Sequence, residues 1–267
     1  MRRWLATATA ALCLLPAPVL AQSQSSSQPT KTSVELSTGL EYQQGTYGLH
    51  ENVDLLSAPT TLTVRHGTLT FAASLPYVRF SAPANVVTGG GVLGVPIIVP
   101  PTTTTERRTR SGIGDLRLTG SYTLSTLPVG LTLSGQVKLP TASAAKGIGT
   151  GKTDVAVGGE MFKRLGRVTP YLDVDYTMPG SPAGYRLDNS LSGQIGAAVQ
   201  LGKRVRGHLG YAYAQAISPT LDDQQSLAAG INVGVTKRMT LAMYGSAGVS
   251  RGAPDVVAGM QIGLGFD

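Results

Sequence analysis

The groups in this chain best able to bind, pair or repel ions sit inside runs that are otherwise apolar: Glu35, Glu41, Asp115, Arg117, Gln136, Lys138, Asp154, Glu160, Asp173, Asp175, Gln194 and Gln261. Each shares a phase of two with Ser, Thr and Gly, while the opposite phase holds Leu, Val, Ile and Tyr. Successive strand side chains point to opposite faces, so these groups collect on one face of a sheet. Facing one enclosed space, charges of both signs can form a selective constriction; equally, they can pair and fill that space.

Other chemistry is thinly represented. Gly147-Ile148-Gly149-Thr150-Gly151-Lys152-Thr153 has the glycine content of a phosphate-binding loop. That motif needs Gly where Lys146 stands and a helix where a strand pattern follows, so the stretch reads as a glycine-rich loop. No Gly-x-Ser-x-Gly elbow occurs, and His50, His66 and His208 lack metal-ligand spacing. A surface phospholipase needs Ser and His together at the bilayer level. His208 instead shares the polar phase with Arg206, near Gln200, which makes it an inward, structural histidine. No catalytic residue, cofactor site or metal site is expected. If Met161 faces Val168 across their turn, Asp154 stands opposite Asp175 near the outer mouth, and the two repel. Lys138 or Lys152 is the expected neutraliser, in preference to a bound cation, because calcium ligands are not evident.

The element that must position these groups is a long alternating strand, seen most clearly from Ile113 to Leu139. Leu116, Leu118, Gly120, Tyr122 and Leu124 alternate with Arg117, Thr119, Ser121 and Thr123; after Ser125-Thr126, Leu127 to Leu139 repeats the pattern. Each arm runs about ten residues, the length of a tilted strand crossing a bilayer. Similar strands start at Val34, Leu56, Leu69, Val155, Val168, Leu191, Val205, Leu227, Leu241 and Val256. The expectation is a single antiparallel transmembrane β-barrel of about twelve strands. Short turns at Arg65-His66-Gly67, Arg164 to Gly166, Gly202 to Arg204 and Thr236 to Arg238 alternate with longer connections, as periplasmic turns do with outer loops. A soluble sandwich or lipocalin-like barrel shares the same period, with its apolar face inward. Against it stand strand length, the turn rhythm, and a last strand from Val256 to Phe266 that alternates to a near-terminal aromatic. Such a closing strand is expected to engage the barrel-assembly machinery. Tyr42, Tyr77, Tyr176, Tyr211 and Tyr213 near outer ends, and Tyr122, Phe162 and Phe266 near inner ends, are expected on the lipid face as interfacial girdles. Ser81 to Ser111 is the longest stretch without period, a loop over or in the mouth.

Composition agrees. Only 14% of the residues are charged, and 34 Gly stand against four Phe and one Trp. Met1 to Ala21 reads as a secretory signal, with Arg2 and Arg3 before an apolar run from Trp4 to Leu15 and cleavage before Gln22. Residues 22–31 read as a disordered periplasmic lead, and 32–267 as the barrel. Loss of the signal removes Cys13 and Trp4, so the mature chain has no thiol chemistry. The net charge of +7 comes from scattered basic residues without interleaved aromatics, which gives no nucleic-acid surface. The expected setting is the outer membrane of a Gram-negative bacterium, among lipid, lipopolysaccharide and small solutes.

At the level of motifs the chain resembles the outer-membrane barrels called the meta-pathway phenol-degradation family. The carrying residues are Gly112-Ile113-Gly114-Asp115-Leu116-Arg117-Leu118, Lys138-Leu139-Pro140-Thr141, Gly149-Thr150-Gly151-Lys152-Thr153-Asp154, Thr169-Pro170-Tyr171, Pro179-Gly180, Gly184-Tyr185, Gln215-Ala216-Ile217-Ser218 and Pro254-Asp255. They span roughly the last 160 residues in consistent order; Ala214 stands where the family pattern has a basic residue. The resemblance implies a channel, not an enzyme, for passive uptake of small, often hydrophobic or aromatic, compounds. A narrow lumen would be lined and constricted by Glu41, Asp115, Arg117, Lys138, Asp154, Glu160, Asp173 and Asp175. Phospholipase-like and structural or adhesive barrels are the alternatives.

Overall fold

Leu, Val and Tyr on one phase and Ser, Thr and Gly on the other favour extended backbone with two unlike faces, and the chain folds accordingly. The computed structural model describes residues 32–49, 51–90, 95–98, 106–124, 129–182, 184 and 186–266. The expected signal segment and lead, His50, the Ser125-Thr126 turn and Tyr185 lie outside the described residues. The strands are β1 (Thr32–Gly45), β2 (Val53–His66), β3 (Leu69–Pro83), β4 (Val86–Gly90), β5 (Val95–Ile98), β6 (Arg107–Ile113), β7 (Leu116–Leu124) and β8 (Gly130–Leu139). After a short 3₁₀ turn at Ala144–Lys146 come β9 (Asp154–Phe162), β10 (Val168–Met178), β11 (Ser190–Gln200), β12 (Val205–Ala214), β13 (Gln224–Gly234), β14 (Met239–Gly248) and β15 (Val256–Phe266).

Neighbours pair antiparallel in chain order, and β1 pairs with β15 from Val34↔Phe266 to Gln44↔Val256, closing the wall. β6 and β7 are two halves of one wall strand, since both pair with β3: Tyr77↔Ile113 above, Ser74↔Arg117 below. The result is a closed antiparallel barrel of twelve strands, with the small β4–β5 hairpin outside that count. Where β6 meets β7 the register slips by one residue, a bulge in which Leu75 and Pro76 oppose Gly114, Asp115 and Leu116. A Cβ on Gly114 would lie 2.8 Å from the Pro76 ring, so only glycine fits there.

Burial decides which way the sheet faces. Leu118 is 41% exposed, Leu133 51% and Ile262 37%, whereas Glu41 and Asp173 are 1% and 6% exposed. Apolar side chains line the outside of the barrel and polar ones the inside, the arrangement of a lipid-embedded barrel and the reverse of a soluble one. Inside, large and small residues interlock across strands. The Tyr244 ring lies across Gly259, where a Cβ would meet it at 2.3 Å, and so its hydroxyl reaches Glu41 on β1.

Three expectations need correction. Phe162 is not on the lipid face: it follows the phase of Glu160 and is 6% exposed inside the wall. The β9–β10 turn closes through a Leu165↔Val168 bridge, which pairs Asp173 with Glu160 and Asp175 with Gly158, so Asp154 and Asp175 are not opposite. That shift is even in residues and leaves every face unchanged. Within Ser81 to Ser111, β3 continues to Pro83, Val86–Gly90 pairs with Val95–Ile98, and Arg107 to Ser111 belongs to β6; 91–94 and 99–105 lie outside the described residues.

Candidate transport pathway

From the outer end inward, the interior begins apolar. Tyr47 from the β1–β2 loop, Val86 from β4, and Ala142 and Ile148 from the β8–β9 loop pack on Val53, Leu55, Val78, Phe80 and Ala82 of the wall. Tyr47 holds a left-handed backbone (φ 52°) and is 1% exposed. Burial pushes its phenol pKa well up, so the ring stays neutral while its hydroxyl donates to Gln43 Oε1 at 3.3 Å. Arg110 of β6 fastens β4 from the side, donating to Val86 O at 2.7 Å and Ala84 O at 3.0 Å. Side chains from three loops thus pack against the wall at its outer end.

Beneath them lies a node built on Lys138, which is 0% exposed. Its Nζ stands 2.8 Å from Asp154 Oδ2 and 3.3 Å from Asp115 Oδ2, and donates to Gly89 O at 2.6 Å and Thr150 Oγ1 at 3.2 Å. The remaining carboxylate oxygens hold loop backbone: Asp115 Oδ1 accepts from Ala142 N at 2.9 Å, and Asp154 Oδ1 from Gly180 N at 2.8 Å. The bulge at Gly114 re-aims the chain so that Asp115 reaches this point, and Thr141 Oγ1 locks it by donating to Gly114 O at 3.0 Å. One ammonium therefore ties three wall strands to the β4–β5 hairpin and the β8–β9 loop, and Asp154 adds the β10–β11 loop. Of the two expected neutralisers of Asp154, Lys138 fills the role; Lys152 is exposed.

Under the node is a cavity of about 30 Å³, with Leu55, Pro76, Val78 and Ile148 on its apolar side and Asp115 and Arg117 on its polar side. It is room for a water or two rather than for a solute. Lower still, Glu160 and Asp173 pair directly across β9 and β10, with Asp175 next on the same face. Glu160 is 4% exposed, and neither of its carboxylate oxygens has a hydrogen-bond partner; Asp173 Oδ1 also lacks one. Half the circumference away, Glu41 is satisfied by Gln43 Nε2 at 2.7 Å and by the Tyr244 hydroxyl at 2.8 Å. Near the periplasmic end Glu35 pairs with Arg65 at 3.5 Å. His208 faces this interior, its ring over Gly230, away from the lipid face where a surface hydrolase would need it.

The eight expected constriction residues all lie on the inner face, but they do not form one ring. Asp115, Lys138 and Asp154 make the node, Arg117 lines the cavity below it, Glu160, Asp173 and Asp175 form a carboxylate wall, and Glu41 stands apart. Sequence reading missed Tyr47, Arg110, Tyr171 and Tyr244. Tyr171 and Tyr244 were findable, since each shares its strand's inward phase; Tyr171 accepts from Gln194 Nε2 at 2.9 Å.

Comparison with known proteins places the fold and the family. The sequence profile described as putative MetA-pathway of phenol degradation matches residues 25–266. The chain belongs to that family. Among solved structures, the family member described here is similar to an outer membrane channel from Pseudomonas putida F1, with TM-score 0.62, 14% identity, and 90% of this chain and 97% of that chain covered. It also aligns with the P. putida toluene transporter TodX at TM-score 0.42 and 12% identity, covering 89% of each, a likeness too low to bear on argument. No curated protein sequence matches the chain. The fold is that of a Gram-negative outer-membrane barrel.

Proposed function

We propose that this barrel is a passive channel of the outer membrane, closed at rest, for small uncharged or cationic solutes with an apolar, often aromatic, part. Residues 1–21 export it, and the mature chain begins at Gln22. The observation that carries the reading is a polar interior with apolar loop residues packed on the wall at its outer end and loop groups bonded to Lys138. Apolar residues at the mouth suit an aromatic ring, and the wall of Glu160, Asp173 and Asp175 disfavours anions lower down. The family's association with phenol degradation supports the same solute chemistry. An inward His208, held away from the lipid face, favours transport over surface hydrolysis.

The test is conductance of the refolded protein in planar bilayers. The wild type is expected to give small, brief openings, and Lys138→Met longer and larger ones, because the loops lose their anchor. Silence from both proteins would sink the channel reading.

A further inference from the structure

Three successive periplasmic turns, joining β9 to β10, β11 to β12 and β13 to β14, each carry a Lys-Arg pair: Lys163-Arg164, Lys203-Arg204 and Lys237-Arg238. All six side chains are exposed. Arg167 adds to the first turn, and none of the three contains an acidic residue. Each turn also presents one large apolar side chain outward: Leu165 (54% exposed), Leu201 (60%) and Val235 (44%). The arc is one-sided. On the other half of this rim, Arg65 is turned inward to Glu35 at 3.5 Å. At the outer end of the same strands the loops mix acidic residues (Asp188, Asp222, Asp223, Asp255) with basic ones (Lys152, Arg186, Arg251), so only the periplasmic turns of this half are uniformly basic.

We infer that this arc is a binding surface for anionic phospholipid headgroups of the periplasmic leaflet, phosphatidylglycerol or cardiolipin. Leu165, Leu201 and Val235 sit where acyl chains begin, and the long basic side chains beside them extend to the phosphate layer. Strands lie about 4.8 Å apart and successive turns are two strands on, so the pairs stand roughly 10 Å from one another. At that spacing a headgroup with two phosphates spans two turns. The apolar residue in every turn favours lipid over an acidic protein partner. What passes through the lumen does not enter this inference.

Native mass spectrometry of the full-length barrel, offered equal amounts of cardiolipin, phosphatidylglycerol and phosphatidylethanolamine, tests it. The wild type should retain the anionic lipids about tenfold over the zwitterionic one, and raising salt from about 0.05 to about 0.5 M should erode the preference. K203Q/R204Q/K237Q/R238Q should lose it, while the outer-loop control K146Q/K152Q keeps it. Equal retention of all three lipids, a preference insensitive to salt, or one unchanged in the quadruple variant overturns the inference. So does an arc that holds an acidic periplasmic protein but no anionic lipid. Should the quadruple variant fail to fold, judged by heat-modifiable gel mobility, the wild-type preference and its salt response still decide.

Discussion

Lys138 shows how much one side chain can be asked to do. Its ammonium is shut off from water and offsets two carboxylates that would otherwise be buried and unpaired. Removing one partner of a buried ion pair typically costs about 3–5 kcal/mol, because the abandoned charge stays behind. Lys138→Met should therefore lower unfolding stability by about that much, read as the urea midpoint of the gel-mobility shift. A neutral outcome would mean the two aspartates already take up protons or ions without it. The sequence showed which side of the wall Lys138, Asp115 and Asp154 share, since phase alone sets that. It did not show that they meet. Contact depends on the Gly114 bulge and on loop residues Gly89, Ala142 and Thr150, whose positions no periodicity encodes.

At the scale of the strand, faces were legible and cross-strand offsets were not. A strand's phase survives any even shift in pairing, so Asp175 stands against Gly158 rather than Asp154 with its side chain still on the expected face. Phe162 was misassigned for a related reason: it is bulky and apolar near a strand end, as a girdle residue is, but phase outranks residue type. Interior glycines are the other hidden signal. Gly259 is inward so that Tyr244 can cross it to Glu41, linking β14 to β1 over β15. Gly259→Val should displace that ring, take from Glu41 Oε2 its bond to the Tyr244 hydroxyl, and cost about 1–3 kcal/mol; Gly259→Val in a Tyr244→Ala background should cost much less. Equal costs in both backgrounds would refute the coupling.

For the molecule as a whole, composition, alternation and turn rhythm were enough for the class of fold, because a closed barrel in lipid admits few solutions. Its transport preference hangs on the distribution of charge within. Glu160, Asp173 and Asp175 share one wall, and Glu41 across the lumen is held by Gln43 and Tyr244, so in the proposed channel whatever charge the three carboxyls carry favours cations. Bilayers under a potassium chloride gradient should show a reversal potential favouring potassium, and E160Q/D173N/D175N should bring it close to zero. Liposome swelling should be faster with phenol than with benzoate for the wild type, with the gap narrowed in the triple variant. Anion preference in the wild type would be fatal to the assignment.

The pairing of β1 with β15 has an implication for biogenesis. Val34 meets Phe266, so the earliest strand stays half-bonded until the final one is made, and no stretch of synthesis short of that yields a sealed cylinder. Both unpaired borders are sticky in the interval, which is when a holding chaperone matters. A chain cut after Asp255 should thus give no compact monomer at all, rather than a barrel one strand narrower.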